Sequence, residues 1–351
     1  MTDAWDAGPR FPTDTRLGIG ILGAGAIARS AHLPAYEKYG LQVAAAWTRT
    51  PSRAAELREQ FPAIGRVHDS PEDLLADPAV DVVDLAMGPQ DRADWVTRCL
   101  RAGKHVLAQK PLTLDVESML PVLDEADERG LLVAVNQNAR WAPPWRLATR
   151  LVQDGAVGDV VGVTHLHDKP LPPLAGTPFD DVPHMLISDY LVHWLDITRC
   201  WLEGQRAVAV RAHDHRTPGQ PADARNPWSA TVQVDTAEGA GALVRVVGDV
   251  RATTPGCPFW IHGTRGTLRG SLLGRDHLEL DVDGSTEELP LQGAWFVDGF
   301  AGAMGELMCA VDEGRQPYNS ARHNLASLRI VRAATASAEA AGATVALDEQ
   351  L

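Results

Sequence analysis

No apolar run in this sequence approaches the roughly 20 residues that a membrane-spanning helix requires. Residues 1–16 are polar and broken by Gly8, Pro9 and Pro12, without the apolar stretch of a secretory signal. Neither a membrane partner nor an export leader is expected, and the cytoplasm is the expected location. Cysteine is scarce: Cys99, Cys200, Cys257 and Cys309 stand far apart and form no C-x-x-C pair. That argues against a disulfide frame and a thiolate zinc site, and suits a reducing compartment. Positive charge is also short, with 32 Lys and Arg against 46 Asp and Glu and a net charge of −14. With no dense basic run either, no nucleic-acid partner is expected, because gripping a phosphate backbone needs a clustered cationic surface. Internal repeats and low-complexity tracts are missing, and no G-x-S-x-G elbow supports a serine hydrolase.

What is present is ordinary for a folded soluble chain: 45% hydrophobic and 22% charged residues over 351 positions. That length exceeds what one core usually serves, so two domains are expected. The most informative stretch begins with a short apolar run, Leu17 to Leu22. It leads into Gly23-Ala24-Gly25-Ala26-Ile27-Ala28, a G-x-G-x-x-A pattern that opens a helical segment reaching about residue 39. In that setting Gly23 permits the tight turn out of the strand, Gly25 lets a pyrophosphate approach the backbone, and Ala28 allows close helix–strand packing. The helix start then offers unpaired N–H groups and its positive dipole end to the anion. A glycine-rich turn without a ligand carries the same letters, so the rest of the chain has to decide.

Strand-like runs at 41–47, 80–86, 105–108 and 131–135 alternate with helical patterns beginning at 51 and covering 71–75, 91–102 and 113–129. Such alternation predicts a parallel sheet covered on both faces, with ligands beyond the carboxyl ends of its strands. Past residue 138 the texture changes. Helical signals at 141–154 and 187–202 give way to strands between 207 and 291, separated by turns such as Pro218-Gly219 and Asp283-Gly284. Helices over 296–314 and 323–342 close the chain. The expected architecture is therefore α/β: a doubly wound parallel sheet in residues 1–138, with 1–15 an irregular extension, then an α+β domain in 139–351. That second domain carries a mainly antiparallel sheet, and its C-terminal helix has the option of packing back on the first. Residues 169–183 carry five prolines and read as an ordered loop of the kind found at site edges.

On a helix turning 100° per residue, Asp189, His193 and Asp196 fall within about 60° of one another. Leu191, Trp194, Leu195, Thr198, Trp201 and Leu202 cover the opposite side. A solvated face would be broad and rich in Lys and Glu, so this narrow polar stripe predicts burial facing a pocket. Asp196 is the weakest of the three and also suits a structural pair. His165 and His167, two apart in a strand-like stretch, share a face and with His184 could ligate a metal. Isolated histidines are commoner, and no metal is expected.

Four anchors together resemble the Gfo/Idh/MocA oxidoreductase family, over about residues 17–347. They are Gly23 to Ala28; Gly103 to Pro111, ending in Gln109-Lys110-Pro111; Asp189-Tyr190-Leu191-Val192-His193; and Ile261 to Leu268. The resemblance implies an N-terminal Rossmann domain and a C-terminal domain whose open sheet assembles homodimers or homotetramers. It implies an NAD(P)-dependent dehydrogenase or reductase acting on a CH–OH group of a sugar, cyclitol or related polyol. Lys110 would stabilise charge on the substrate oxygen, His193 would exchange the hydroxyl proton, and Asp189 would orient substrate or imidazole. Gln109 replaces the family's usual Glu, and Leu191 its usual small residue. Thr48, Arg49 and Arg53 stand where NAD-binding proteins usually carry a ribose-binding acid. Thr and Arg can receive a 2′-phosphate, which favours NADP(H); NAD(H) stays possible because Arg49 can instead stack on adenine. Gly23, Gly25, Ala26, Ile27, Met87, Gly88, Pro89, Gln109 and Lys110 complete the implied cofactor set. Lys110, Asn138, Asp189 and His193 make the substrate set, with Asn138 either bonding a hydroxyl or tying down the crossover. Two other readings stay open: a regulator that binds nucleotide without turnover, and a glycoside-cleaving or epimerising enzyme that uses a bound NAD transiently.

Overall fold

The computed structural model describes residues 8–13, 16–172, 174–251 and 256–347, so most of the expected irregular extension lies outside the described residues. The chain forms two units, one of residues 8–142 with 293–325, the other of 143–292 with 326–347 among those described. The expected boundary at 138/139 falls near the first crossing, but the chain crosses again at 292/293 and 325/326.

In the N-terminal unit, β1 (Ile19–Leu22), β2 (Val43–Trp47), β3 (Arg66–Val67), β4 (Val82–Leu85), β5 (His105–Gln109) and β6 (Val133–Asn136) make one parallel sheet, ordered β3-β2-β1-β4-β5-β6. β1, β4 and β6 are buried along their whole length, as continuous apolar runs covered on both faces should be. β3 escaped the sequence pattern because two residues are too few to show a period. Between strands run α1 (Leu33–Lys38), α2 (Pro51–Gln60), α3 (Pro71–Ala76), α4 (Arg92–Arg101) and α5 (Val116–Glu128). Starts are set by local chemistry: Pro stands in the first turn of α2 and α3, and Ser70 Oγ accepts from Asp73 N at 3.1 Å. In register, Leu22 lies beside Trp47 and Leu85, and Gln109 beside Asn136, so five strands end on one edge. The order reverses between β1 and β4, the point where a doubly wound sheet opens a crevice.

Residues 293–325 complete this unit. Helix α8 (Trp295–Glu313) brings Phe300, Ala301, Met304, Leu307 and Met308 into the same core as Ile19, Ile21 and Val82. Its Gly299 and Gly302 face the 3-10 turn Asn138–Trp141: a Cβ on Gly299 would stand 2.5 Å from the Asn138 carbonyl oxygen. Farther on, Val135 N donates to Asn319 O and Asn319 Nδ2 to Val135 O, both at 2.8 Å, which covers the edge of β6.

The second unit is built on nine strands: β7 (Val160–His167), β8 (Ala207–His215), β9 (Ser229–Thr236), β10 (Gly241–Val247), β11 (Cys257–Gly263), β12 (Gly266–Leu272), β13 (His277–Val282), β14 (Ser285–Glu288) and β15 (Val345–Ala346). Their order is β14-β13-β12-β11-β7-β10-β9-β8-β15, antiparallel except where β10 runs parallel to β7. Strands alternate buried and exposed residues, as a sheet with one packed face requires. The packed face meets α6 (Pro143–Gln153) and α7 (Val192–Trp201): Trp145 stands edge-on to His165, and Trp201 stacks on it with centroids 5.2 Å apart. A last helix, α9 (Ala321–Glu339), precedes β15.

Because backbone cannot yield as a flexible side chain can, Gly299→Ala is expected to destabilise the protein by about 1–3 kcal/mol. Chemical denaturation checks this, and an unchanged midpoint would contradict the packing described.

Candidate functional site

The carboxyl edge of the parallel sheet gathers most of the expected nucleotide residues. Gly23 follows β1 with φ +102°, a conformation that favours glycine, and a Cβ there would stand 3.0 Å from the Ala86 carbonyl oxygen. Gly25 is the opposite case: a Cβ there would meet nothing within 4 Å. Its backbone faces open space of the kind a pyrophosphate would fill. Ala26 is exposed and Ile27 half-buried, and the next turn is π-helical, Ala28–His32, with Ala28 fully buried. After β2, Thr48 is buried while Arg49 and Arg53 are exposed; no acid occupies that strand end. Nearby, Arg29 pairs with Glu56 at 2.9 Å. Aromatic residues that the motif reading passed over lie here too. Trp47 and Trp95 sit 6.3 Å apart, with the Arg98 guanidinium 4.0 Å over the Trp95 ring.

The loop after β4, Met87-Gly88-Pro89, is partly exposed, yet it is anchored from beneath. Arg92, 1% exposed, donates from Nη1 to Leu85 O at 3.2 Å and from Nη2 to Met87 O at 2.6 Å. Burial lowers its guanidinium to about 10, against the opposing pull of Asp84. Asp84, in the middle of β4, is itself fully buried. Its Oδ2 lies 2.7 Å from His32 Nδ1 and accepts from Tyr36 Oη at 2.6 Å. Burial, then the charge on Asp84, raises the Tyr36 phenol well above its ordinary range, so it stays a donor. Gln109 completes the cluster: Nε2 is 3.0 Å from His32 Nε2, and Oε1 accepts from Lys110 N at 2.7 Å. Lys110 follows, half-buried at the end of β5. The signal that would have found this cluster was a charge, Asp84, inside the otherwise apolar run 82–85.

Asn138 is turned inward and 4% exposed. Its Oδ1 accepts from Trp295 Nε1 at 2.7 Å, and Nδ2 donates to Asn136 O at 3.4 Å. These bonds tie the crossover to Trp295 and to the end of β6.

In the second unit, Asp189 and His193 lie on one segment, but not on one regular helix. Residues Leu186–Tyr190 form a π turn, closed by Leu191 N donating to Leu186 O at 2.8 Å, and α7 starts only at Val192. A wheel of 100° per residue therefore does not hold across Leu191, which is buried at the junction. Asp189 and His193 are half-buried. Asp196 is 1% exposed and accepts from Ser327 Oγ at 2.7 Å, a structural pair. Tyr190, also missed, bonds His167 Nε2 at 2.8 Å and stacks on Trp194 with rings 5.5 Å apart. His184 pairs with Asp214 at 2.9 Å instead of joining His165 and His167. Among the described residues, no group of three or more His, Cys, Asp or Glu is placed to hold a metal. No helix among them is long and apolar enough to cross a membrane.

Comparison with known proteins finds one family that matches both units. Residues 17–137 match the profile described as "Oxidoreductase family, NAD-binding Rossmann fold", and residues 145–269 match the "GFO/IDH/MocA C-terminal domain". An inositol 2-dehydrogenase of Saccharopolyspora erythraea is 29% identical over 308 residues, covering 83% of this chain and 86% of that protein. One from Mycolicibacterium smegmatis is 31% identical, covering 62% of this chain and 60% of that protein. For several curated relatives the match spans only about half their length, from 42% to 60%. An oxidoreductase of Agrobacterium radiobacter, solved with NAD+, L-tartaric acid and magnesium, shares the fold at a TM-score of 0.83 and 23% identity. The match covers 95% of this chain and 98% of that one.

Burial lowers His165 from the ordinary 6.5 to about 3, and His167 to about 4. The unfolded chain therefore takes up protons in this window that the folded chain refuses, and stability falls as pH drops from about 6.5 towards 4. His165→Phe, which keeps an aromatic ring beside Trp201, is expected to flatten that slope by up to about 1.4 kcal/mol per pH unit. Denaturant titrations across the window test it; an unaltered slope would show that His165 is not held neutral.

Proposed function

The chain belongs to the Gfo/Idh/MocA oxidoreductase family, and from that premise we propose that it is a nicotinamide-dinucleotide dehydrogenase or reductase acting on a secondary CH–OH group of a cyclitol, sugar or related polyol. One observation carries the reading. The open backbone at Gly25, after β1, and half-buried Lys110, after β5, share the carboxyl edge of one sheet, on opposite sides of its switch point. Inositol dehydrogenases among the relatives support the substrate class.

A bound dinucleotide supplies the hydride acceptor or donor. Gly23, Gly25, Ala26 and Ile27 would hold its pyrophosphate, and Met87, Gly88 and Pro89, fixed by Arg92, would line the nicotinamide side. Lys110 stabilises negative charge on the substrate oxygen as the C–H bond breaks. His193 takes the hydroxyl proton in oxidation and returns it in reduction, with Asp189 orienting the imidazole or a substrate hydroxyl. The preferred cofactor is NADP(H). A carboxylate at the end of β2 would repel a 2′-phosphate; buried Thr48 with exposed Arg49 and Arg53 receives one.

A screen of cyclitols and sugars with both cofactors, read at the reduced-nicotinamide absorbance, tests the activity. Nucleotide binding without turnover of any polyol would favour a regulator instead. With a turned-over substrate, Lys110→Ala and His193→Ala are each expected to lower kcat by about 100-fold or more. Near-wild-type rates would remove them from the mechanism. Arg49→Ala is expected to weaken NADPH about tenfold and leave NADH unchanged in a fluorescence titration. Equal wild-type affinities for the two would overturn the phosphate argument.

A further inference from the structure

The buried cluster beneath Lys110 has its proton positions fixed by one backbone group. Lys110 N–H can only donate, so the Gln109 atom that accepts from it at 2.7 Å is the carbonyl oxygen. The other end of that amide is therefore the NH2 group, and it donates to His32 Nε2 at 3.0 Å. The Asn136 side-chain amide approaches the same nitrogen at 3.4 Å. An imidazole nitrogen that accepts carries no proton, so the proton of His32 sits on Nδ1, where Asp84 Oδ2 receives it at 2.7 Å. Asp84 Oδ2 then accepts from both Tyr36 Oη and His32 Nδ1. Around His32 stand Asp84 on β4, Tyr36 on α1, Gln109 on β5, Asn136 on β6 and the Phe300 ring on α8, 4.9 Å away. Asp84 is the single acid among them.

Granting Lys110 its role in the proposed reaction, we propose that Gln109 is a positioning residue for it. Its amide is locked by His32 so that its oxygen holds the Lys110 backbone. This makes Gln109 a matched part of the cluster. A Glu in its place would put a second buried acid against His32 Nε2, a contact that holds only with a proton on the ring or on the new carboxyl. The residues that orient Gln109 are thus Asp84 and His32, which reach the Lys110 backbone through its amide.

The proton position is open to direct measurement in the intact protein. Long-range 1H–15N spectra of the histidine rings at neutral pH, with His32 identified by the signal lost in His32→Gln, are expected to show Nδ1 protonated and Nε2 bare. Gln109→Ala removes both bonds and is expected to lower kcat roughly tenfold or more, with dinucleotide affinity within about threefold of wild type. Gln109→Glu, which still offers Lys110 N an acceptor oxygen, is expected to recover most of that loss. A wild-type His32 protonated on Nε2, or on both nitrogens, overturns the proposal, as does a wild-type kcat in Gln109→Ala. Should Lys110→Ala stay active, the catalytic reading fails, while the His32 spectra still decide whether the cluster is arranged as described.

Discussion

A 2.7 Å hydrogen bond between two fully buried side chains, His32 and Asp84, ties the helical turn after the glycine loop to the fourth parallel strand. Much of the carboxyl edge depends on it. Through Asp84 it reaches Tyr36, and through His32 it reaches Gln109 and the backbone of Lys110. Buried polar groups are tolerated when they are hydrogen-bonded, and leaving one without its partner costs about 1–3 kcal/mol. Two segments that a dinucleotide would touch, the turn after β1 and the end of β5, therefore share one buried anchor.

The second unit solves a related problem differently. A π turn and an α-helix meet at Leu191, so Asp189 and His193 are spaced by two helical geometries in succession. Such turns recur at functional positions because the extra residue re-aims the side chains beside it. The N-terminal unit has one as well, Ala28–His32, immediately after the glycine loop, and its last residue is the histidine at the heart of the cluster.

What could be read from the sequence, and what could not, follows from the range of the forces involved. Parallel strands buried on both faces are continuous apolar runs, so 80–86 and 131–135 were legible to within two or three residues of β4 and β6. The carboxyl-edge loops followed from that alternation and the glycine spacing. The return of 293–325 to the N-terminal unit was not legible, because it rests on contacts such as Trp295 with Asn138 and Asn319 with Val135 that leave no local pattern. Asp196 and Asp189 illustrate the limit of periodicity. Both are polar on an apolar helix, yet one is sealed against Ser327 while the other is half-buried, a difference set by α9 and the turn at Leu191.

The thrice-crossed chain bears on how such a protein can be divided. The nucleotide half is not a detachable module ending near Asn138. Severed there, it would forfeit Phe300, Met304, Leu307 and Met308 from its interior and leave the β6 backbone open to pairing with other chains. Recombination that exchanges one half for another must therefore carry two separated stretches of gene together, and inheritance of the fold is constrained accordingly.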